Sequence, residues 1–204
     1  FYWFTKLNDK ILIAAADCTG HGVPGAMVSV VCNNALNRAV NDFKLEDPAL
    51  ILDKTTQLVT AAFDKTDENV KDGMDISLCA INLKDNSLSF SGAINSLFYI
   101  RDNQLVEVKG DKQPVGQYAS VKPFTEHQVS LEKGDQLYLF TDGFQDQFGG
   151  DKGKKFMQRR FKELLLSISA ISIDKQREAL QKEFISWKGD LDQLDDICVI
   201  GIEI

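Results

Sequence analysis

The chain predicts an α+β fold: a two-sheet antiparallel β-sandwich flanked by pairs of α-helices, four layers in the order αββα. Three observations point there. Segments with helical apolar spacing come in consecutive pairs, one in each half of the chain. Between them lies a run of short strands joined by hairpin-type turns, which pair antiparallel. A strand-like segment opens the chain and another closes it, giving the order β, αα, β-meander, αα, β. Stacked sheets with helices packed outside bury every apolar face in that order. At 204 residues, 44% of them hydrophobic and 26% charged, the chain exceeds the usual size of one domain, ~150 residues, and can bury a real core. A single domain over 1–204 is expected, without internal repeats.

Residues 1–4 and 10–16 flank the turn-like Leu7-Asn8-Asp9, a hairpin whose second strand delivers Asp17. Gly20, Gly22 and Gly25 follow, and a glycine-rich loop beside a strand-end carboxylate can offer a cation both side-chain and main-chain oxygens. Ala26, Val30, Val31, Ala35, Leu36, Ala39 and Val40 then recur at helical spacing, predicting a helix from 23 or 24 to about 41 with Pro24 in its first turn. Asp47-Pro48 is an N-cap and N1 pair for a second helix with Leu50, Ile51, Leu52, Leu58, Val59, Ala62 and Phe63 on its apolar face.

Lys71-Asp72-Gly73 breaks that pattern. Strands are expected over 75–83, 87–93, 97–101 and 104–108, with turns at Lys84-Asp85-Asn86 and Asp102-Asn103. A loop with Gly110, Pro114 and Gly116 leads to strands over 124–131 and 136–141, the latter running into Asp142-Gly143. Helices are expected over 154–168 and 174–187, and a strand over 197–204 opens on Asp195-Asp196. The glycine-rich, basic 148–155 reads as a flap that meets a phosphorylated partner or as a solvated loop.

Acids therefore stand at three strand ends: Asp17, Asp142 and the pair Asp195-Asp196. Singly each is an ordinary turn residue. If the first two strands run antiparallel to the last, all lie at one edge, where like charges repel unless a cation sits between them. No His or Cys cluster accompanies them, so hard oxygen ligands favour Mg²⁺ or Mn²⁺ over Zn²⁺.

The net charge of −7 argues against a nucleic-acid partner. No apolar run approaches the ~20 residues that span a bilayer and no signal peptide opens the chain, so a cytoplasmic location without membrane contact is expected. Cys18, Cys32, Cys79 and Cys198 lack C-x-x-C spacing and read as buried free thiols. The aromatic run Phe1-Tyr2-Trp3-Phe4 has nothing before it to pair or cap it, and is read as the start of a piece cut from a longer protein.

Asp17-Cys18-Thr19-Gly20-His21-Gly22 resembles the D-x-[ST]-G-H-G motif of the SpoIIE-type branch of metal-dependent serine/threonine protein phosphatases, Thr141-Asp142-Gly143 its T-D-G and Asp195-Asp196 its closing D-D. Gly73-Met74-Asp75-Ile76, Gly92-Ala93-Ile94-Asn95 and Gln147-Phe148-Gly149-Gly150 also look like segments of it, so the resemblance covers essentially the whole chain. It implies two Mn²⁺ or Mg²⁺ ions in the full-length protein, bridged by Asp17, with the Cys18 carbonyl as a backbone ligand. Asp142 and Asp195 complete one shell, Asp196 being the alternative to Asp195. A further ligand, from a G-D-[FY]-[FY] segment, would fall just before Phe1-Tyr2.

The implied reaction is hydrolysis of phosphoserine or phosphothreonine on a protein, without a phosphoenzyme. A phosphorylated anti-sigma factor antagonist is the implied substrate, and an upstream sensor domain in the same chain the implied regulator, acting through the first helix pair. A homodimer is compatible with this. His21 fits either a proton donor to the leaving oxygen or, the favoured reading, a loop residue donating to backbone carbonyls. Asp75, beginning a strand near a glycine, fits either a place around the metal edge rather than on an ion, or a simple cap of the turn. The alternative function is a silent, phosphatase-like interaction domain, against which the retention of Asp17, Asp142 and Asp195 speaks.

Overall fold

A computed structural model describes residues 1–64, 72–118 and 120–204. Lys71, in the expected break, lies outside the described residues. The chain forms β1 (Tyr2–Leu7), β2 (Lys10–Cys18), α1 (Gly22–Asn41), α2 (Pro48–Phe63), β3 (Gly73–Asn82), β4 (Ser87–Ala93), β5 (Leu97–Arg101), β6 (Gln104–Val108), β7 (Val115–Gly116), β8 (His127–Ser130) and β9 (Gln136–Phe140). It continues through α3 (Gly143–Asp146), β10 (Phe148–Gly149), β11 (Lys154–Lys155), α4 (Gln158–Ile168), α5 (Ile173–Lys188) and β12 (Val199–Glu203). One antiparallel sheet has the order β1-β2-β3-β4-β8, with β7 pairing the start of β3; the other has the order β12-β9-β5-β6.

Side-chain alternation explains why the sheets stack. Along β2, Leu12, Ala14 and Ala16 pack with Leu36 of α1 and Ile51 and Leu52 of α2. Ile13 and Ala15, one residue out of phase, point the other way, into a core with Leu137 and Leu139 of β9. On β9, Tyr138 and Phe140 face away from that core and pack with Phe144, Phe161 and Leu165 of the second helical layer. Central strands buried on both faces read as near-continuous apolar runs for this reason. The four-layer αββα arrangement follows, with three cores between four layers.

The helix boundaries obey capping chemistry. The Asp47 carboxylate accepts from the backbone N–H groups of Ala49 (2.8 Å) and Leu50 (3.1 Å), with Pro48 in the first turn. No helix of the described residues is long and apolar enough to cross a membrane.

Three expectations are corrected. The strand expected over 124–131 is His127–Ser130 only, because the Phe124 N–H donates to the Asp53 side chain (3.0 Å) and the ring packs under the helices instead of joining a ladder. The helix expected from 154 begins at Gln158, because Lys154–Lys155 pair antiparallel with Phe148–Gly149 in a two-stranded ribbon. The last strand begins at Val199 rather than 197, since Ile197 precedes the ladder and packs beside α5 in the outer core.

Candidate metal centre

The acids meet at one open end of the sandwich. Asp17 shares the phase of Ile13 and Ala15, so the β2 pleat directs it toward the space between the sheets. It lies opposite Asp75 in the β2–β3 register. Asp142 follows β9 after Thr141 alone, and Asp195 stands shortly before β12, its antiparallel neighbour. Carboxylate oxygens of Asp17, Asp142 and Asp195 lie within 4.8 Å of one another.

Local contacts explain the residues around each acid. The Thr19 hydroxyl donates to Asp72 (3.0 Å) and accepts from the Gly73 N–H (3.0 Å), tying the loop after Asp17 to the start of β3. The Thr141 hydroxyl donates to the Asp196 carbonyl (3.3 Å) and accepts from the Cys198 N–H (3.0 Å), tying β9 to the chain entering β12. A Cβ on Gly143 would run into the Asp196 carbonyl, so only glycine allows that approach. Asp142 occupies the N-cap position of α3 without a side-chain capping bond, and its carboxylate stands beside those of Asp17 and Asp195 instead.

Crowding sets the electrostatics. Burial first, then the charges of Asp195 and Asp142, push the Asp17 carboxyl up to about 7. Partial loss of water around Asp142, although its surface is exposed, and the charges of Asp146 and Asp195 raise its carboxyl too. Asp75 is pushed up to about 6, by burial and then by Asp142. Hard-oxygen donors crowded in this way, with Asp17 and Asp142 raised in part by the Asp195 charge, fit a hard divalent cation, which would relieve that repulsion.

Asp17 borders two clefts. The larger, about 850 Å³, is lined by Asp17, Cys18, His21, Thr141, Asp195 and Asp196 among others. The smaller, about 160 Å³, lies on the β3 side and holds Asp75 with Asp17 and Thr19. No lysine or arginine lines either cleft among the described residues. A third cavity, about 560 Å³ between α5 and β12, contains none of the clustered acids.

The structure brings Asp17, Asp142 and Asp195 together and leaves Asp75 and the Asp196 carboxylate outside that group. The Asp196 N–H donates to the Asp195 carboxylate (2.7 Å), orienting it. His21 is exposed at the N-cap position of α1 and makes no side-chain capping bond. Gln147 is the residue whose role sequence reasoning missed. Buried, it donates to the Asp192 carbonyl (2.9 Å) and accepts from the Leu194 N–H (3.4 Å), holding the stretch before Asp195. The Gln147-Phe148-Gly149-Gly150 segment signalled it without revealing its partner.

Residues 8–204 match the family model described as "Stage II sporulation protein E (SpoIIE)". The phosphoserine phosphatase RsbU of Bacillus subtilis (strain 168) is 28% identical over 152 residues, 70% of this chain and 41% of RsbU. The chain thus spans about two fifths of that relative's length. The SiaA-PP2C domain of Pseudomonas aeruginosa is 31% identical and superposes with a TM-score of 0.90 over 100% of this chain and 80% of that one. The PP2C phosphatase domain of SpoIIE from Bacillus subtilis, 18% identical, shares the fold with a TM-score of 0.76 over 100% of this chain and 56% of that one.

Proposed function

The chain belongs to the SpoIIE family of protein phosphatase domains, and from that premise we propose that it hydrolyses phosphoserine or phosphothreonine on a protein, with Mn²⁺ or Mg²⁺ held by Asp17, Asp142 and Asp195. The observation that carries this reading is the meeting of the three carboxylates within 4.8 Å. When bound, such cations supply Lewis-acid activation of water and neutralise phosphate charge. The chain's own residues do the rest. Asp17 reaches the site from the wall between the two clefts, and the Cys18 carbonyl adds a main-chain oxygen. Asp142, free of any capping duty, and Asp195, oriented by the Asp196 N–H, close the opposite side. His21 lines the same cleft without a capping bond, leaving its ring free to pass a proton to the departing oxygen.

The name of RsbU, a phosphoserine phosphatase, supports a phosphorylated protein as substrate. An anti-sigma factor antagonist is the substrate we assign within that class. We place the domain in the cytoplasm, at the output end of a longer sensor protein whose upstream part acts through α1 and α2.

The test is phosphate release from a phosphoserine protein by the full-length enzyme with Mn²⁺, beside Asp17→Ala and Asp142→Asn. Each substitution is expected to lower kcat/KM by ~10³-fold, several kcal/mol of transition-state stabilisation. Equal rates in all three proteins would defeat the reading.

A further inference from the structure

Much of the positive charge of this acidic chain is gathered in one place. Six of its 23 lysines and arginines fall within residues 152–162, and no acid does. The fold spreads them over the β10–β11 ribbon and the first turns of α4, where Lys152, Lys154, Lys155, Arg159 and Arg160 are all exposed. Lys152 and Lys154 hold no ion pair among the described residues. Lys155, Arg159 and Arg160 pair with Asp146, Glu163 and Glu183 (2.7, 2.9 and 3.4 Å). Exposed pairs of this kind are weak, so these cations exchange partners readily.

The ribbon is clamped to the end of α5. The Gly150 N–H donates to the Trp187 carbonyl (2.8 Å), and a Cβ on Gly149 would strike that same carbonyl. The Arg160 guanidinium lies over the Trp187 ring, 4.1 Å from its centroid, and Trp187 meets Phe156 edge-on at 5.3 Å. Met157, at φ 74° and ψ 147°, occupies a region that residues with side chains rarely adopt. Its N–H donates to the Gln145 carbonyl (2.8 Å), and its side chain is 59% exposed. With Arg159 and Arg160 it lines a groove of about 580 Å³ along α4. This platform adjoins the acids. Lys155 pairs with Asp146, whose N–H donates to the Asp142 carbonyl one turn earlier (2.9 Å). Gln147, which leads into β10, holds the stretch before Asp195.

Resting on the reading that the acids serve hydrolysis of a phosphoprotein, we propose that the β10–β11 ribbon and the start of α4 are the docking surface for an acidic segment of that protein. Neither cleft beside Asp17 is lined by a cationic side chain among the described residues, so the platform supplies the charge complementary to an acidic partner. Its lysines meet carboxylates as point charges, the two arginines offer paired N–H donors, and Met157 adds an apolar contact. A protein segment fits better than an anionic bilayer, because the platform stands beside the acids that a docked phosphoresidue must reach.

The experiment uses the full-length protein and two phosphoserine peptides of equal length, one flanked by Asp and Glu, the other by Gly and Ser. Hydrolysis with Mn²⁺ gives KM and kcat, and fluorescence anisotropy reads binding of the acidic peptide in unphosphorylated, labelled form. The expected result is a KM about 10-fold lower for the acidic peptide at similar kcat, with the gap closing as salt rises. In the double variant Lys152→Glu/Lys154→Glu, the gap is expected to fall below ~2-fold and the labelled peptide to bind ~10-fold more weakly. Equal KM for the two peptides, a gap that survives the double substitution, or capture by phosphatidylserine vesicles without any peptide preference would each overturn the proposal. Absence of turnover on both peptides would defeat the hydrolysis reading, and anisotropy would then decide the platform by itself. Salt-sensitive binding that the double substitution weakens supports it; no such binding overturns it.

Discussion

Two of the arms that deliver the acids, those of Asp17 and Asp195, are built differently. Asp17 stands in a strand paired on both sides, to β1 and β3, with fully buried Ala14, Ala15 and Ala16 leading up to it. Asp195 stands in an exposed irregular stretch between α5 and β12, held by side-chain bonds from Gln147 and Thr141 to the main chain on either side. A ladder fixes a side chain through many cooperative contacts, whereas a few side-chain bonds fix it only as firmly as those bonds last. The same acidic site thus joins a rigid wall to an adjustable one.

The sharpest way to break this comparison is to exchange neighbours on the adjustable arm. Asp195→Asn is expected to lower kcat/KM by ~100-fold or more, while Asp196→Asn, whose backbone groups make the contacts, should change it by less than ~5-fold. Equal losses measured by steady-state kinetics would mean that both carboxylates serve the site.

Next in size comes Gln147→Ala, expected to reduce kcat/KM by ~10-fold through loss of positioning. Hydrogen exchange should quicken across 190–196 and stay unchanged in β2. Faster exchange in β2 as well would show that the two arms are one unit.

The pH response addresses the wall. Asp17 has a folded value of about 7 against an ordinary 3.8, so between those values the folded state binds more protons than the unfolded one. Metal-free protein should therefore lose stability as pH rises from about 4 to about 7, with a lower Tm at pH 7.5 than at pH 5.5. Mn²⁺ is expected to bind more tightly as pH rises through that window and to reverse the loss, read as a Tm increase. A metal-free Tm that rises across the window would contradict the crowding of Asp17.

The smallest expected effect belongs to Thr141→Val, which removes two bonds at nearly constant volume and should cost about 1–2 kcal/mol by urea unfolding. A loss of that size with kcat/KM nearly intact would separate holding the arm from aiming it.

The sequence was more legible along the rigid arm than along the adjustable one. Alternation and turn chemistry gave the hairpin and β2, and helical periodicity gave α1, because each is a local rule. Acids at strand ends and the T-D-G and D-D motifs pointed to the adjustable arm as well. What joins it does not follow from local rules: Gln147 meets Asp192 across 45 residues and Thr141 meets Cys198 across 57. No period encodes such contacts. The β10–β11 ribbon escaped for a similar reason, since two-residue strands are too short to show alternation, and Phe124 looked like strand because burial under a helix uses the same residue type as burial in a sheet.

The larger cleft carries no lysine or arginine among the described residues, and this imposes an order of events. A phosphate dianion approaching Asp17, Asp142 and Asp195 meets acidic side chains with no cationic side chain to offset them, so under the proposed function the cation is expected to arrive first and the phosphoprotein second. Chelation should therefore appear in kinetics as loss of substrate binding together with loss of turnover. Under the proposed function, supply of divalent ion would gate recognition itself.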